Sequence, residues 1–434
     1  MSNRSLLRNF TLRHLPSIVF AVTFAFAIAP SGAPAYTLKT LHSFCVNAGC
    51  PGGDEPFAGL LMGQSGDLYG TTPVGGKYDS GVVFELTPNG NTYKEHILKN
   101  FCKQANCADG DYPLADLIMD GDGNLYGTTF VGGKHELGSV FKLTHLGGQV
   151  TFAIVYSFCS KAACADGARP MARLAYAGQA SGAPWDGSSP LFGTTVDGGA
   201  DNKGTAYKLA PNGSSWTYQV LHSFNPATNG SALPGPLLVD SFGNLFGVTG
   251  AGAKYGAGAL YRLAAGTWKE TTLHNFCAEA NCTDGNSGVG RLAIDAAGDL
   301  FGTTAGGGSG SSGCDSDCGV VFERATAGGY SVIYNFGSQS GDGIYPQAGP
   351  IIDGSGNLYG TTYFGGTDGL GTVFKLSPGT PWTETVLYNF CSENACTDGA
   401  NPNAPVIMDA GGNLYGTTYN GGANSAGTVF ELTP

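Results

Sequence analysis

The chain has 434 residues, and 71 of them are Gly, more than twice the usual share of about 7%. Only 12% are charged, the formal charge is −12, and there are 24 Phe and 20 Tyr. Such a chain is too aromatic to be disordered, lacks the every-third-residue Gly of collagen, and carries too many helix-weakening Gly to be a long helical protein.

Residues 1–35 are expected to be a secretory signal peptide. Arg4, Arg8 and Arg13 give a basic start, an apolar run extends from Ile18 to Ala29, and Ala33-Pro34-Ala35 supplies a small-x-small cleavage pattern. The run falls short of the ~20 residues that a membrane span needs. No later run is longer, so the mature chain from Tyr36 is expected to carry no membrane span. Removing the segment takes the formal charge from −12 to −15, since it holds three Arg and no acid. That balance excludes a nucleic-acid partner, which needs a basic footprint.

The mature chain opens on one alternating strand, Tyr36 to Phe44, and then repeats a single unit. A Leu-aromatic-Gly-x-Thr block recurs with its Gly at 70, 127, 193, 247, 302, 360 and 416. A second Gly-led block follows 11 residues later in six copies and 17 residues later in the fifth. Each unit reads as four strands. Strand A is apolar, as in Leu117-Ile118-Met119. An Asx-Gly turn such as Asp353 to Asn357 leads to strand B, Leu358 to Thr362. A Gly-Gly loop leads to strand C, Thr372 to Leu376, and a Pro-Gly turn to strand D, Thr383 to Phe390. Strand D ends in Phe in every copy: Phe44, Phe101, Phe158, Phe224, Phe276, Phe336 and Phe390.

The seventh unit stops at its strand C, Gly427 to Leu432, and the mature N-terminus is a strand D without a unit. Joining the two completes the last sheet. The predicted fold is therefore an all-β, seven-bladed β-propeller with four-stranded blades, spanning 36–434 as one domain and closed by its N-terminal strand.

All 12 Cys fall into local pairs. Five pairs have C-x4-C spacing after the strand D Phe: Cys45 with Cys50, Cys102 with Cys107, Cys159 with Cys164, Cys277 with Cys282, and Cys391 with Cys396. The sixth, Cys314 with Cys318, lies in the insertion of blade 5. With a signal peptide, this pattern predicts disulfides in an oxidising compartment. No metal and no cofactor are expected, because the pairs sit on different blades and no His recurs beside them.

Departures from the repeat mark candidate sites. Asp116, Arg173 and Arg291 on strand A stand where other copies have Gly59, Pro236, Gly349 or Pro405. Two Arg can recognise a carboxylate or sulfate; the alternative is a solvent-facing ion pair. Phe130, Tyr363 and Tyr419, just after strand B, are placed to stack on sugar rings or to pack between blades. The blade 3 insertion, Gly178 to Pro190 with Trp185, offers a further contact surface on the opposite face. His42, His222 and His274 share a strand D position and are expected to be half-exposed. Asp120-Gly-Asp-Gly-Asn124 resembles the start of a calcium loop, but position 12 is Val131, so an Asx turn is favoured. The recurring Asp of Asp109, Asp166, Asp284, Asp342 and Asp398 reads as turn chemistry.

The units Gly-Asn-Leu-Tyr-Gly-Thr-Thr, Gly-Gly and Gly-Thr-Val-Phe-Lys-Leu resemble the GloVer tandem repeat of Gloeobacter and Verrucomicrobia, over nearly all of the mature chain. The resemblance implies an exported bacterial protein, often with a C-terminal sorting anchor, and supplies no catalytic residues. This chain ends at Pro434 without an apolar tail, so release or periplasmic residence is expected. Two functions stand. One is a secreted, monomeric binding or scaffold propeller for a polysaccharide or another exported protein. The other is a carbohydrate-active propeller enzyme, a polysaccharide lyase or hydrolase. No nucleophile-base set, P-loop or dinucleotide motif appears, which favours binding.

Overall fold

A computed structural model describes residues 36–434 apart from 147–148, 228–229 and 315–316. The expected signal peptide lies outside the described residues. Seven antiparallel sheets are arranged in a ring as a seven-bladed β-propeller. Blade 6 shows the common plan: Ile351–Ile352, Leu358–Thr362, Thr372–Ser377 and Thr383–Asn389 are strands A to D, ordered from the centre outward. Blade 7 contains Ile407–Met408, Leu414–Thr418 and Thr428–Thr433, and its outermost strand is Thr37–Ser43 from the chain start. Thr37 pairs with Thr433 and Ser43 with Thr428, so the ring closes as the termini predicted.

One packing device recurs at every junction between blades. The strand B Gly has no side chain because the strand C aromatic crosses over it. A Cβ on Gly360 would come within 2.6 Å of the Phe374 ring, and one on Gly70 within 2.5 Å of Phe84. That aromatic then meets the strand D Phe of the preceding blade edge to face. Phe44–Phe84, Phe101–Phe141, Phe158–Tyr207, Phe224–Tyr261, Phe336–Phe374 and Phe390–Phe430 have ring centroids 5.1–5.3 Å apart. Phe276–Phe322 is tilted at 5.6 Å. All fourteen rings are buried. Each pair adds about 0.5–1.5 kcal/mol beyond its area burial.

A β-bulge in strand D, opposite the strand C aromatic, also recurs in every blade. The extra residue turns the next side chain toward the following loop. There Lys99, Tyr156, His274, Tyr334 and Tyr388 bind the carboxylates of Asp109, Asp166, Asp284, Asp342 and Asp398. These Asp are buried and also accept backbone N–H groups of the same loop, so they are structural turn residues. His42, His222 and His274 are half-buried strand residues, as expected. His274 is bonded to Asp284 at 2.8 Å and stacked on Tyr330 at 3.6 Å. His42, where Gly52 replaces the loop Asp, turns to Glu95 at 3.3 Å.

The six local Cys pairs are all disulfides. Cys45 is bonded to Cys50, Cys102 to Cys107, Cys159 to Cys164, Cys277 to Cys282, and Cys391 to Cys396. Cys314 is bonded to Cys318 within the blade 5 insertion. These twelve residues fasten loops and supply no free thiol, so they belong to the scaffold and not to a site. Cys107, Cys164, Cys282 and Cys396 each close a single 3-10 turn, and a fifth such turn lies in blade 3 at Gln179–Ser181. In those four loops the second Cys also accepts, through its carbonyl, the N–H of the Gly that follows the loop Asp, at 2.8–2.9 Å. The disulfide and the Asp thus hold the same turn from two sides. Among the described residues no helix is long and apolar enough to cross a membrane.

Candidate functional site

The inner strands of all seven blades surround a central cavity of about 920 Å³. It opens on the side of the turns between strands A and B. Those turns are rigid. Asp120 Oδ1 accepts the N–H groups of Asp122 and Asn124, and its Oδ2 accepts the Asn124 amide and the Tyr126 hydroxyl. Asp353 and Asp409 are saturated in the same way. Burial opposes ionisation of Asp353 and Asp409, but these hydrogen bonds outweigh it and hold both below the usual carboxylate range. The calcium-like stretch is thus an Asx turn with its carboxylate fully used.

Arg173 and Arg291 both line the cavity. Burial depresses the Arg291 guanidinium to about 10, the charge of Arg173 adds to that, and Asp116 opposes it. The three groups are therefore near enough to feel one another, as their shared place in the repeat implies. They do not form the solvent-facing ion pair that was the alternative. Among the described residues neither Arg has a carboxylate within salt-bridge distance, and Asp116 Oδ1 instead accepts the Gly59 N–H at 2.7 Å. Arg291 donates to the Val406 carbonyl at 3.3 Å, reaching from blade 5 to blade 7. Among the described residues the buried Nε of Arg173 has no hydrogen-bond partner. Gly349 lets the blade 5 backbone come this close: a Cβ there would sit 1.6 Å from the Arg291 carbonyl oxygen.

The ring is altered where these two Arg stand. In strand B, the first Thr of the Thr-Thr pair ties its blade to the inner strand of the next. Thr71, Thr194, Thr303, Thr361 and Thr417 donate to Ala115, Gly235, Ala348, Ala404 and Ala58 at 2.9–3.3 Å. Two junctions lack the tie. Thr128 in blade 2 has a buried hydroxyl with no partner among the described residues, and blade 4 has Val248 at that position. The blades that follow are 3 and 5, which carry Arg173 and Arg291. The inner strand of blade 3 is reduced to a bridge between Ala175 and Phe192, against the strand expected there. That of blade 5 runs for nine residues, Asn286–Ile294.

The blade 3 insertion forms one wall of the cavity. The Tyr176 hydroxyl donates to Ala183 at 2.7 Å, and Gln179 reaches the Leu237 carbonyl of blade 4 at 3.3 Å. Trp185 is not a contact surface. It is 1% exposed, edge-on to Tyr126 and stacked on Trp216, with its backbone bonded to the blade 2 turn. The sequence marked the insertion and the two Arg as separate features; the fold brings them to one cavity.

Phe130, Tyr363 and Tyr419 lie at the opposite end of strand B and do not line the cavity. Each is half-buried in contacts at the blade tops. The Arg169 guanidinium lies 5.9 Å from the Phe130 ring centroid, Tyr363 is edge-on to Phe364, and the Tyr419 hydroxyl donates to Glu55 at 2.6 Å.

The chain is thus a seven-bladed propeller whose central cavity holds two Arg on its inner strands and Asp on its turns. The Gloeobacter/Verrucomicrobia repeat matches residues 24–187, 176–337 and 311–434, and the chain belongs to that family. No curated protein matches. Among solved structures, the chain is similar to a putative 6-phosphogluconolactonase from Bacteroides uniformis at 12% identity, covering 76% of this chain and 83% of that one with a TM-score of 0.48. It is also similar to a putative oxidoreductase (glucose dehydrogenase) from Thermus thermophilus at 15% identity, covering 73% and 95% with a TM-score of 0.41.

Proposed function

We propose that the chain is an exported binding propeller that holds an anionic ligand in its central cavity. One observation carries this reading: two guanidinium groups share the cavity and, among the described residues, neither has a carboxylate within salt-bridge distance. Burying cations unpaired is costly, and native chains break such rules chiefly at functional sites. An incoming carboxylate or sulfate would supply the missing acceptors through charge-assisted hydrogen bonds. The six disulfides fit a non-cytoplasmic protein, and the signal-like start supports export. The test is a thermal-shift screen of the mature protein with acetate, sulfate and a galacturonate trimer, repeated on Arg173→Met/Arg291→Met. At least one anion should raise the midpoint of the native protein and not that of the variant. Equal shifts in both proteins, or none from any anion, would remove the reading.

A further inference from the structure

We infer that the cavity takes an amphiphilic carboxylate, with one anionic head on an apolar body, rather than a polyanionic sugar chain. The inference rests on the anion-site reading above and adds the ligand's class. It follows from the order of residues along each inner strand. Arg173 and Arg291 stand four residues before their turn positions, Ala177 and Asp295. At about 3.3 Å per extended residue, their backbone lies up to roughly 13 Å before the turns. The residues in between are apolar and half-buried, among them Leu61, Met62, Met119, Ile294, Ile351 and Ile407, and all line the cavity.

The rim is acidic. Asp67 and Asp122 stand on the turns that line the opening. A ligand with charges along its whole length would set some of them beside these carboxylates and others against the apolar belt. A single carboxylate at the inner end avoids both costs, since it meets Arg173 and Arg291 while the rest of the molecule covers apolar surface. The volume of about 920 Å³ lies within the usual range for small-ligand sites, roughly 300–1,000 Å³, which are apolar with a few placed polar groups. The wall from blade 3, through Tyr176 and Gln179, closes one side.

The experiment is isothermal titration of the mature, disulfide-bonded protein with octanoate, 1-octanol, acetate and a galacturonate trimer. Octanoate should bind best. Loss of the carboxylate in 1-octanol, or loss of the chain in acetate, should each weaken binding by about tenfold or more, the scale of one charge-assisted contact or a few buried methylenes. Arg173→Met/Arg291→Met should lose the preference for octanoate over 1-octanol. If that variant does not fold, Arg173→Met alone is read the same way. Tighter binding of the trimer or of acetate than of octanoate would overturn the inference and leave the anion site standing. Octanoate binding that ignores the arginines would overturn the inference, and binding of no anion at all would overturn both.

Discussion

Around the outer part of the ring, a strand D Phe meets the next blade's strand C aromatic at 5.1–5.6 Å at all seven junctions. Around the inner part, the Thr-to-carbonyl tie holds at five junctions and fails at two. Of these two sets of contacts, variation is thus confined to the inner strands. The aromatic clasp is kept at every junction, while an inner strand drops its tie, shortens or lengthens with the ring still closed. The two freed strands are the ones that bring Arg into the cavity.

The largest contrast to test is between a clasp residue and a cavity residue. Phe374→Ala should cost about 3–5 kcal/mol, the usual loss on emptying an aromatic core site, whereas Arg173→Met, which removes a cation that has no ion pair, should leave stability unchanged or raise it. Denaturant titrations of both variants measure this, and a similar loss in each would erase the distinction.

Next comes an electrostatic irregularity at the junction of blades 5 and 6. Burial first, and then the Asp342 charge, push the Glu384 carboxyl up to about 8. Its ordinary value is 4.5, so the folded chain holds this proton where the unfolded chain has released it. Stability from this group is therefore full below about pH 4.5 and is lost as pH rises toward 8. Glu384→Gln should flatten that fall and raise the melting midpoint at pH 8, as thermal melts across the range will show. An unchanged profile would mean that the junction tolerates both charges.

Two finer comparisons follow. Thr303→Val leaves the Ala348 carbonyl without its donor and should cost about 1–2 kcal/mol, while Thr128→Val removes a hydroxyl that has no partner and should be neutral or stabilising. Equal losses in paired denaturation curves would show that the tie is not what distinguishes these junctions. The smallest effect is expected at Tyr207, whose buried hydroxyl also lacks a partner. Five of the other six clasp positions have Phe there, so Tyr207→Phe should gain up to about 1 kcal/mol. A clear loss would point to a bond not accounted for.

Much of this was legible in the sequence because it repeats. The seven Phe, the strand B Gly and the unpaired first strand specify blade number, strand order and closure through spacing alone. Cysteine pairing was legible for the same reason: Cys107, Cys164, Cys282 and Cys396 each stand five residues after their partner, and Cys318 four after Cys314. Arg173, Arg291 and Asp116 were visible as breaks in the repeat. Their depth, their missing ion pair and their company with Tyr176 and Gln179 were not, because these depend on how neighbouring inner strands shift against each other. The strand D and loop partners, such as Tyr156 with Asp166 and Tyr388 with Asp398, do have a sequence signal in a separation of ten residues that four of the five pairs share, Tyr334 with Asp342 being eight apart. Trp185 looked exposed because its insertion breaks the repeat, yet it is anchored by parallel pairing with Asp120 in another blade. Local composition carries no trace of that contact.

A ligand held among the inner strands at the turn-side opening would sit beside methionines, which give a direct probe. Of the four among the described residues, Met62, Met119 and Met408 line the cavity and Met171 does not. Methyl-labelled methionine spectra recorded during an octanoate titration should show the first three resonances moving together in a saturable way while Met171 stays in place. Saturable movement of Met171 alone, with the other three unmoved, would contradict the assignment.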